Sequence, residues 1–156
     1  FEAQDSDLIS AVSALSGNVI ISTGMSSHDE LNELVEWRNQ GANPRAVLHC
    51  ISCYPSRMQD LRLQTIGMYD LDGFSDHSAN VRAGALAVAC GAKMLEVHLK
   101  LFTTLLCNPD YGHSLNPTQL QEYVRYANEA LGAISAPHRR EIAPCEIPMS
   151  AYRVRS

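Results

Sequence analysis

The sequence predicts an α/β protein with a parallel sheet, amounting to half of an eight-stranded barrel. Four short apolar stretches end near Ser22, Cys50, Ser75 and His98, at steps of 28, 25 and 23 residues. Segments of helical period lie between them, and strands joined by crossover helices run parallel. The third and fourth stretches lead into His77 and His98, 21 residues apart. Two imidazoles are thereby placed on one rim of the sheet, where α/β proteins bind ligands.

In order along the chain, Asp7 to Leu15 is expected to be helical, with Leu8, Ile9, Val12 and Leu15 on one face and Gly17 as its stop. Asn18 to Ser22 reads as a fully buried strand. The turn that follows contains Ser27, and Glu30 three residues on completes a capping-box signature for a helix ending near Gly41. Ala46 to Cys50 is the second strand, Met58 to Met68 a helix, and Leu71 to Ser75 the third strand. Ser78 to Gly91 reads as a helix of small residues, Lys93 to His98 as the fourth strand, and Pro117 to Leu131 as a last helix with Pro at its start. Residues 1–134 thus form the barrel part, and 135–156, with three prolines, a linker or tail. Four βα units alone would leave two edge strands and an uncovered core face, so something else is expected to cover it.

The composition is that of a globular protein, with 46% apolar and 19% charged residues. A net charge of -5 gives no attraction to nucleic acid or to an anionic membrane surface. No apolar run is long enough to span a bilayer, and the first residues lack the pattern of a signal peptide. Five cysteines without even spacing argue against a disulfide framework and for a reducing cytoplasm. The chain begins with Phe1 rather than Met and is expected to be a piece of a longer protein.

His77 and His98 are the first candidates for chemistry, because neutral imidazole is the commonest protein metal ligand. Asp76 and Glu96 flank them, and Glu96, two residues before His98, is expected on the same face. It would act on substrate or orient a ligand. Ser22-Thr23-Gly24-Met25-Ser26 passes from strand end to helix start and offers hydroxyl and backbone N–H donors to an anion, although helix capping alone would explain it. Cys50-Ile51-Ser52-Cys53 has C-x-x-C spacing, but no second pair completes a zinc site; a buried Cys50 with an incidental Cys53 is the simpler reading. Tyr54 stands at the mouth of the sheet. The loop Asn108 to Pro117 offers Asp110 and His113 for substrate contact, against a simple turn role.

Together these segments resemble the sialic acid synthase family, which includes the legionaminic and pseudaminic acid synthases. The matching stretches are Val19 to Ser26, Leu48 to Pro55, Gly73 to Ser78, Gly91 to His98, and Pro109-Asp110 with Ser114 to Pro117. The resemblance runs from near residue 7 to about residue 132 and begins at the fifth strand of the family's (β/α)8 TIM barrel, so this chain would supply strands 5–8. It implies condensation of phosphoenolpyruvate with an N-acetylated amino sugar, of the N-acetylmannosamine type, to a nine-carbon sialic-type acid. His77 and His98 would hold Mn2+ or Mg2+. Ser22, Ser52 and Ser75 would bind phosphoenolpyruvate, and Tyr54, Glu96 and Asp110 would serve as catalytic side chains near the sugar. The full-length protein would be a cytoplasmic homodimer, with residues 135–156 leading to an antifreeze-like domain; the present stretch alone is not expected to be an active synthase. The family usually has Phe-Thr-Leu-Asp-Arg after the second histidine, where this chain has Leu99-Lys100-Leu101-Phe102. The other readings of the same histidines are a metal-dependent barrel aldolase or lyase, and a truncated, non-catalytic ligand-binding barrel.

Overall fold

The computed structural model describes residues 3, 5–14, 18–40, 45–135 and 142–153. Among them the elements are α1 (Ser6–Ser13), β1 (Ile20–Ser22), α2 (His28–Asn39), β2 (Ala46–Cys50), α3 (Gln64–Met68), β3 (Gly73–Asp76), α4 (Ala83–Ala89), β4 (Met94–Val97) and α5 (Pro117–Ile134). Short 3-10 segments occupy Met58–Asp60, Pro109–Gly112 and Pro144–Tyr152. The four strands form one parallel sheet in the order β1-β2-β3-β4. This is the strand–helix alternation expected from the sequence, with adjacent strands adjacent in space. Leu15, Gly17 and Gly41, expected at helix ends, lie outside the described residues.

Local chemistry explains the helix starts. The Ser27 hydroxyl accepts from the Glu30 N–H while the Glu30 carboxylate accepts from the Ser27 N–H at 2.6 Å, the reciprocal box expected of this spacing. Asn116 and Gln119 do the same for α5, with Pro117 in its first turn.

The structure corrects three element assignments. Met58 to Met68 is not one helix: Arg62 takes a left-handed conformation with φ 48°, and the Leu61 carbonyl accepts from His49 Nε2 at 2.7 Å. Leu61, almost fully buried, is drawn into the core instead of continuing a helix. The helix expected from Ser78 starts only at Ala83. Ahead of it, Ser78 N–H donates to Asp76, Asn80 N–H to the Ser78 hydroxyl and Arg82 N–H to the Asn80 side chain. Such side-chain acceptors compete with the helical ladder. Finally, β1 is not fully buried, since Ile20 is 50% exposed on an edge strand.

Strand register separates two faces. Ser22, Leu48, Gly73 and Met94 pair across the sheet, as do Cys50, Ser75 and Glu96 two residues further on, so these side chains share one face. We call it the lumenal face, because in a closed barrel it would turn toward the axis. Ile21, Val47 and Phe74 point the other way, into a core with Leu34, Leu61, Ile66, Ala87 and Tyr123. Val47 and Phe74 have no solvent exposure, whereas Met94 on the lumenal face is 38% exposed. On the lumenal face Leu48, Cys50 and Ser75 of the middle strands are buried as well, while Ser22, Met94 and Glu96 on the outer strands are exposed.

Two glycines set close approaches. A Cβ at Gly73 would stand 2.0 Å from the Met94 carbonyl oxygen, so only glycine lets β3 and β4 pair in this register. A Cβ at Gly84 would meet the Tyr123 ring at 2.4 Å, so glycine admits that ring between α4 and α5.

Candidate functional site

The lumenal face carries polar side chains toward the carboxyl ends of its strands. Ser75 and Glu96 are register partners on β3 and β4, and the Ser75 hydroxyl donates to the Glu96 carboxylate at 2.6 Å. His77 and His98 each follow their strand by one residue and continue the same side, with ring centroids 5.2 Å apart. Donor atoms of His77, Glu96 and His98 all lie within 4.8 Å of one another. The adjacency expected of the two histidines, and of Glu96 on their face, is thus present. Asp76 is not part of it. It is a buried side chain on the helix-facing side, bonded to the Ser78 N–H, where desolvation raises its pKa above the usual carboxylate range.

His77 Nδ1 lies 3.1 Å from the Ile51 carbonyl, which can only accept. That bond places the proton on Nδ1 and leaves the Nε2 lone pair for a ligand, a common arrangement for metal-binding histidines. Tyr54 packs over the cluster, 4.4 Å from the His77 ring and 4.9 Å from the His113 ring, with about half its surface open to solvent.

The loop after β4 returns to the rim. Leu99 and Leu115 form a parallel bridge, and the Leu115 N–H donates to the His98 carbonyl at 2.8 Å. Asn108 caps the 3-10 segment by accepting from the Asp110 N–H, and the Ser114 hydroxyl donates to the Asp110 carbonyl. The Asp110 carboxylate thereby stands 3.5 Å from His98 Nδ1 and 3.5 Å from His113 Nε2. The His113 ring lies 4.6 Å from that of His98 and 5.7 Å from that of His77. Burial, followed by the neighbouring His98, lowers the pKa of His113 and favours its neutral form.

Ser22 and Ser52 are placed elsewhere. Ser22 is exposed and one lumenal row below Ser75. Ser52 lines a cavity of about 460 Å3 with Thr23, Ser26, His49 and Arg62. Among the cysteines, Cys50 is buried and Cys53 exposed, and both are free thiols. Lys100 is a residue that the motifs did not single out. Its Nζ donates to the Tyr111 carbonyl at 2.7 Å and stands 4.0 Å over the Tyr111 ring, tying down the loop that presents Asp110. Its position two residues beyond His98 was the only sequence signal available.

Comparison with known proteins agrees with this architecture. A family model described as the NeuB family matches residues 1–138. The chain is 33% identical over 136 residues to the N-acetylneuraminate-9-phosphate synthase of Homo sapiens, covering 83% of this chain and 37% of that one. It is 32% identical over 141 residues to the pseudaminic acid synthase of Campylobacter jejuni, covering 85% of this chain and 41% of that one. The fold matches the crystal structure of an N-acetylneuraminic acid (sialic acid) synthetase from Leptospira borgpetersenii in complex with citrate, with a TM-score of 0.81 at 27% identity. That match covers 97% of this chain and 54% of the other. The chain therefore spans only about two fifths of the length of the curated relatives it matches.

Proposed function

The chain belongs to the NeuB family, and from that premise we propose that it forms the metal-holding half, strands 5–8, of a sialic-acid-type synthase barrel. The whole protein would join phosphoenolpyruvate to an N-acetylated amino sugar of the N-acetylmannosamine type, giving a nine-carbon acid. The observation that carries this reading is the lumenal trio His77, Glu96 and His98, with donor atoms within 4.8 Å of one another.

The donor set suits a divalent ion, and its two imidazoles favour Mn2+ over the oxygen-seeking Mg2+. When bound, such an ion supplies Lewis acidity at an aldehyde oxygen. His77 and His98 would hold it, with His77 oriented by the Ile51 carbonyl. In the reaction, C3 of phosphoenolpyruvate bonds to the aldehyde carbon and the aldehyde oxygen takes a proton. Water adds at C2 and phosphate leaves. Glu96 would carry the proton to that oxygen. Ser75 positions it, and a substrate carboxylate or phosphate competing for the Ser75 hydroxyl proton would release Glu96 toward the sugar. Ser22, at the end of β1, and Ser52, in the loop after β2, would contact phosphoenolpyruvate. Tyr54 and Asp110 would bound the sugar site over His77 and beside His98. The same reading carries a cytoplasmic homodimer for the full-length protein and a linker role for residues 135–156.

The test is phosphate release by the full-length protein given Mn2+, phosphoenolpyruvate and N-acetylmannosamine. His98→Ala should lower turnover by about 100-fold or more, because a ligand is lost and not merely a partner that orients one. Failure to release phosphate with any amino sugar tested would overturn the proposal.

A further inference from the structure

We propose that His98, Asp110 and His113 form a second cation seat, which shares His98 with the first and selects a first-row transition ion such as Zn2+ or Co2+ over Mg2+. Donor atoms of these three residues lie within 4.8 Å of one another, as in the first trio. Each trio is two imidazoles and one carboxylate, a set that takes transition ions and leaves coordination positions open.

An independent observation points to a ligand at this seat. His113 is 4% exposed, and among the described residues its Nε2 has no hydrogen-bond partner. That nitrogen faces the Asp110 carboxylate at 3.5 Å, beyond the reach of a good hydrogen bond. Buried polar atoms are nearly always satisfied, and an orphaned one calls for an explanation such as an ion. A metal–nitrogen bond of about 2.1 Å would satisfy Nε2 from within the gap that separates it from Asp110 and His98.

The seat is also built to hold its shape. Asn108, Ser114 and Lys100 each bond to the 3-10 segment that carries Asp110. His113 sits at the end of that segment, its N–H donating to the Asp110 carbonyl at 3.3 Å, and the Tyr54 ring packs against its imidazole. Ligands held by such an outer layer retain their geometry when the ion leaves.

The inference rests on the first metal reading only through His98, so the two can fail separately. The experiment is titration of the chain with Co2+, followed by its visible absorption, and with Zn2+ and Mg2+ by calorimetry. His77→Ala should remove the first seat yet leave Co2+ binding that disappears when His113→Ala is added. Added to His77→Ala in place of His113→Ala, Asp110→Asn, on a residue 57% exposed, tests the same seat without disturbing buried packing and should weaken the remaining Co2+ binding about 100-fold. Mg2+ should bind far more weakly than Zn2+ in every form that binds. If His77→Ala abolishes Co2+ binding while His113→Ala and Asp110→Asn leave it unchanged, the second seat is refuted and the first stands. If none of the three variants alters binding, both are refuted.

Discussion

Replacing Gly73 by alanine should damage the fold and the candidate metal site together, because one close approach underlies both. The added Cβ would lie 2.0 Å from the Met94 carbonyl oxygen, 2.7 Å from its carbonyl carbon and 3.0 Å from its Cα. All three are backbone atoms, so no side-chain rotation relieves the clash. Ordinary contact at about 3.5 Å requires β4 to retreat by about 1.5 Å. Ladder hydrogen bonds of ~2.9 Å do not survive such a shift. Losing about two of them at ~1 kcal/mol each, with 1–3 kcal/mol of residual strain, gives a destabilisation of about 3–5 kcal/mol. The same displacement parts Ser75 from Glu96, register partners in the β3–β4 pairing, and His77 from His98, which follow its last rung at Asp76 and Val97. Urea denaturation followed by circular dichroism and by the fluorescence of Trp37, the single tryptophan, measures the first effect. Calorimetric titration with Mn2+ at temperatures where the variant is still folded measures the second. A Gly73→Ala protein within about 0.5 kcal/mol of the parent stability would refute the close-approach argument.

Two further outcomes follow from groups away from the lumenal trio. Burial lowers the pKa of His49 below its ordinary value, and its neutral Nε2–H donates to the Leu61 carbonyl at 2.7 Å. A depressed folded-state pKa means that the stability is present above the unfolded value of about 6.5 and is lost as pH falls below it, by up to ~1.4 kcal/mol per pH unit for one proton. His49→Gln keeps a donor but does not titrate, so its denaturation midpoint should vary less between pH 7.5 and 5 than that of the parent; equal slopes would count against the assignment. Lys100→Met keeps the methylene stem but loses the bond to the Tyr111 carbonyl. It should cost about 1–2 kcal/mol and speed amide hydrogen exchange at Tyr111 and His113, and unchanged exchange would show that the loop is held by its caps alone.

The fold was legible where hydrophobic period and spacing agreed. Ala46 to Cys50 was bounded as observed, and the parallel order followed from the helical segments between strands. The two helix misses come from local hydrogen bonding, invisible to periodicity: bonds to side chains won over helix propensity at Ser78 to Arg82, whereas the exposure of Ile20 reflects its place on an edge strand. At Arg62 the pull of buried Leu61 and its carbonyl's bond to His49 broke the helix. In the candidate site, the shared face of His77, Glu96 and His98 could be read because strand parity is a property of spacing. The approach of His113 and the use of Lys100 could not, because both depend on how a loop folds back over the rim. The opposite fates of Asp76 and Glu96 follow from parity too: adjacent to a histidine and two residues from one are opposite faces of the sheet.

The segment after His98 is where this chain departs from the pattern its family resemblance suggests, and the structure gives that departure a use. Leu99 bridges to Leu115, and Lys100 is committed to the Tyr111 backbone. Neither side chain therefore brings an acid or a base to the rim. Besides His77 and Glu96, the polar groups next to His98 come from the returning loop, as Asp110 and the buried His113. Part of the charge and donor set at this end of the sheet is thus supplied by a segment pinned at its backbone and capped at its start, while the adjoining Leu101, Phe102, Leu105 and Leu106 remain exposed. Changes in loop sequence would consequently alter the donor atoms near His98 without disturbing the β3–β4 register that brings His77 to it. On the proposed reading, metal preference and substrate fit would vary in such an arrangement while the pair of strand-end histidines stays fixed.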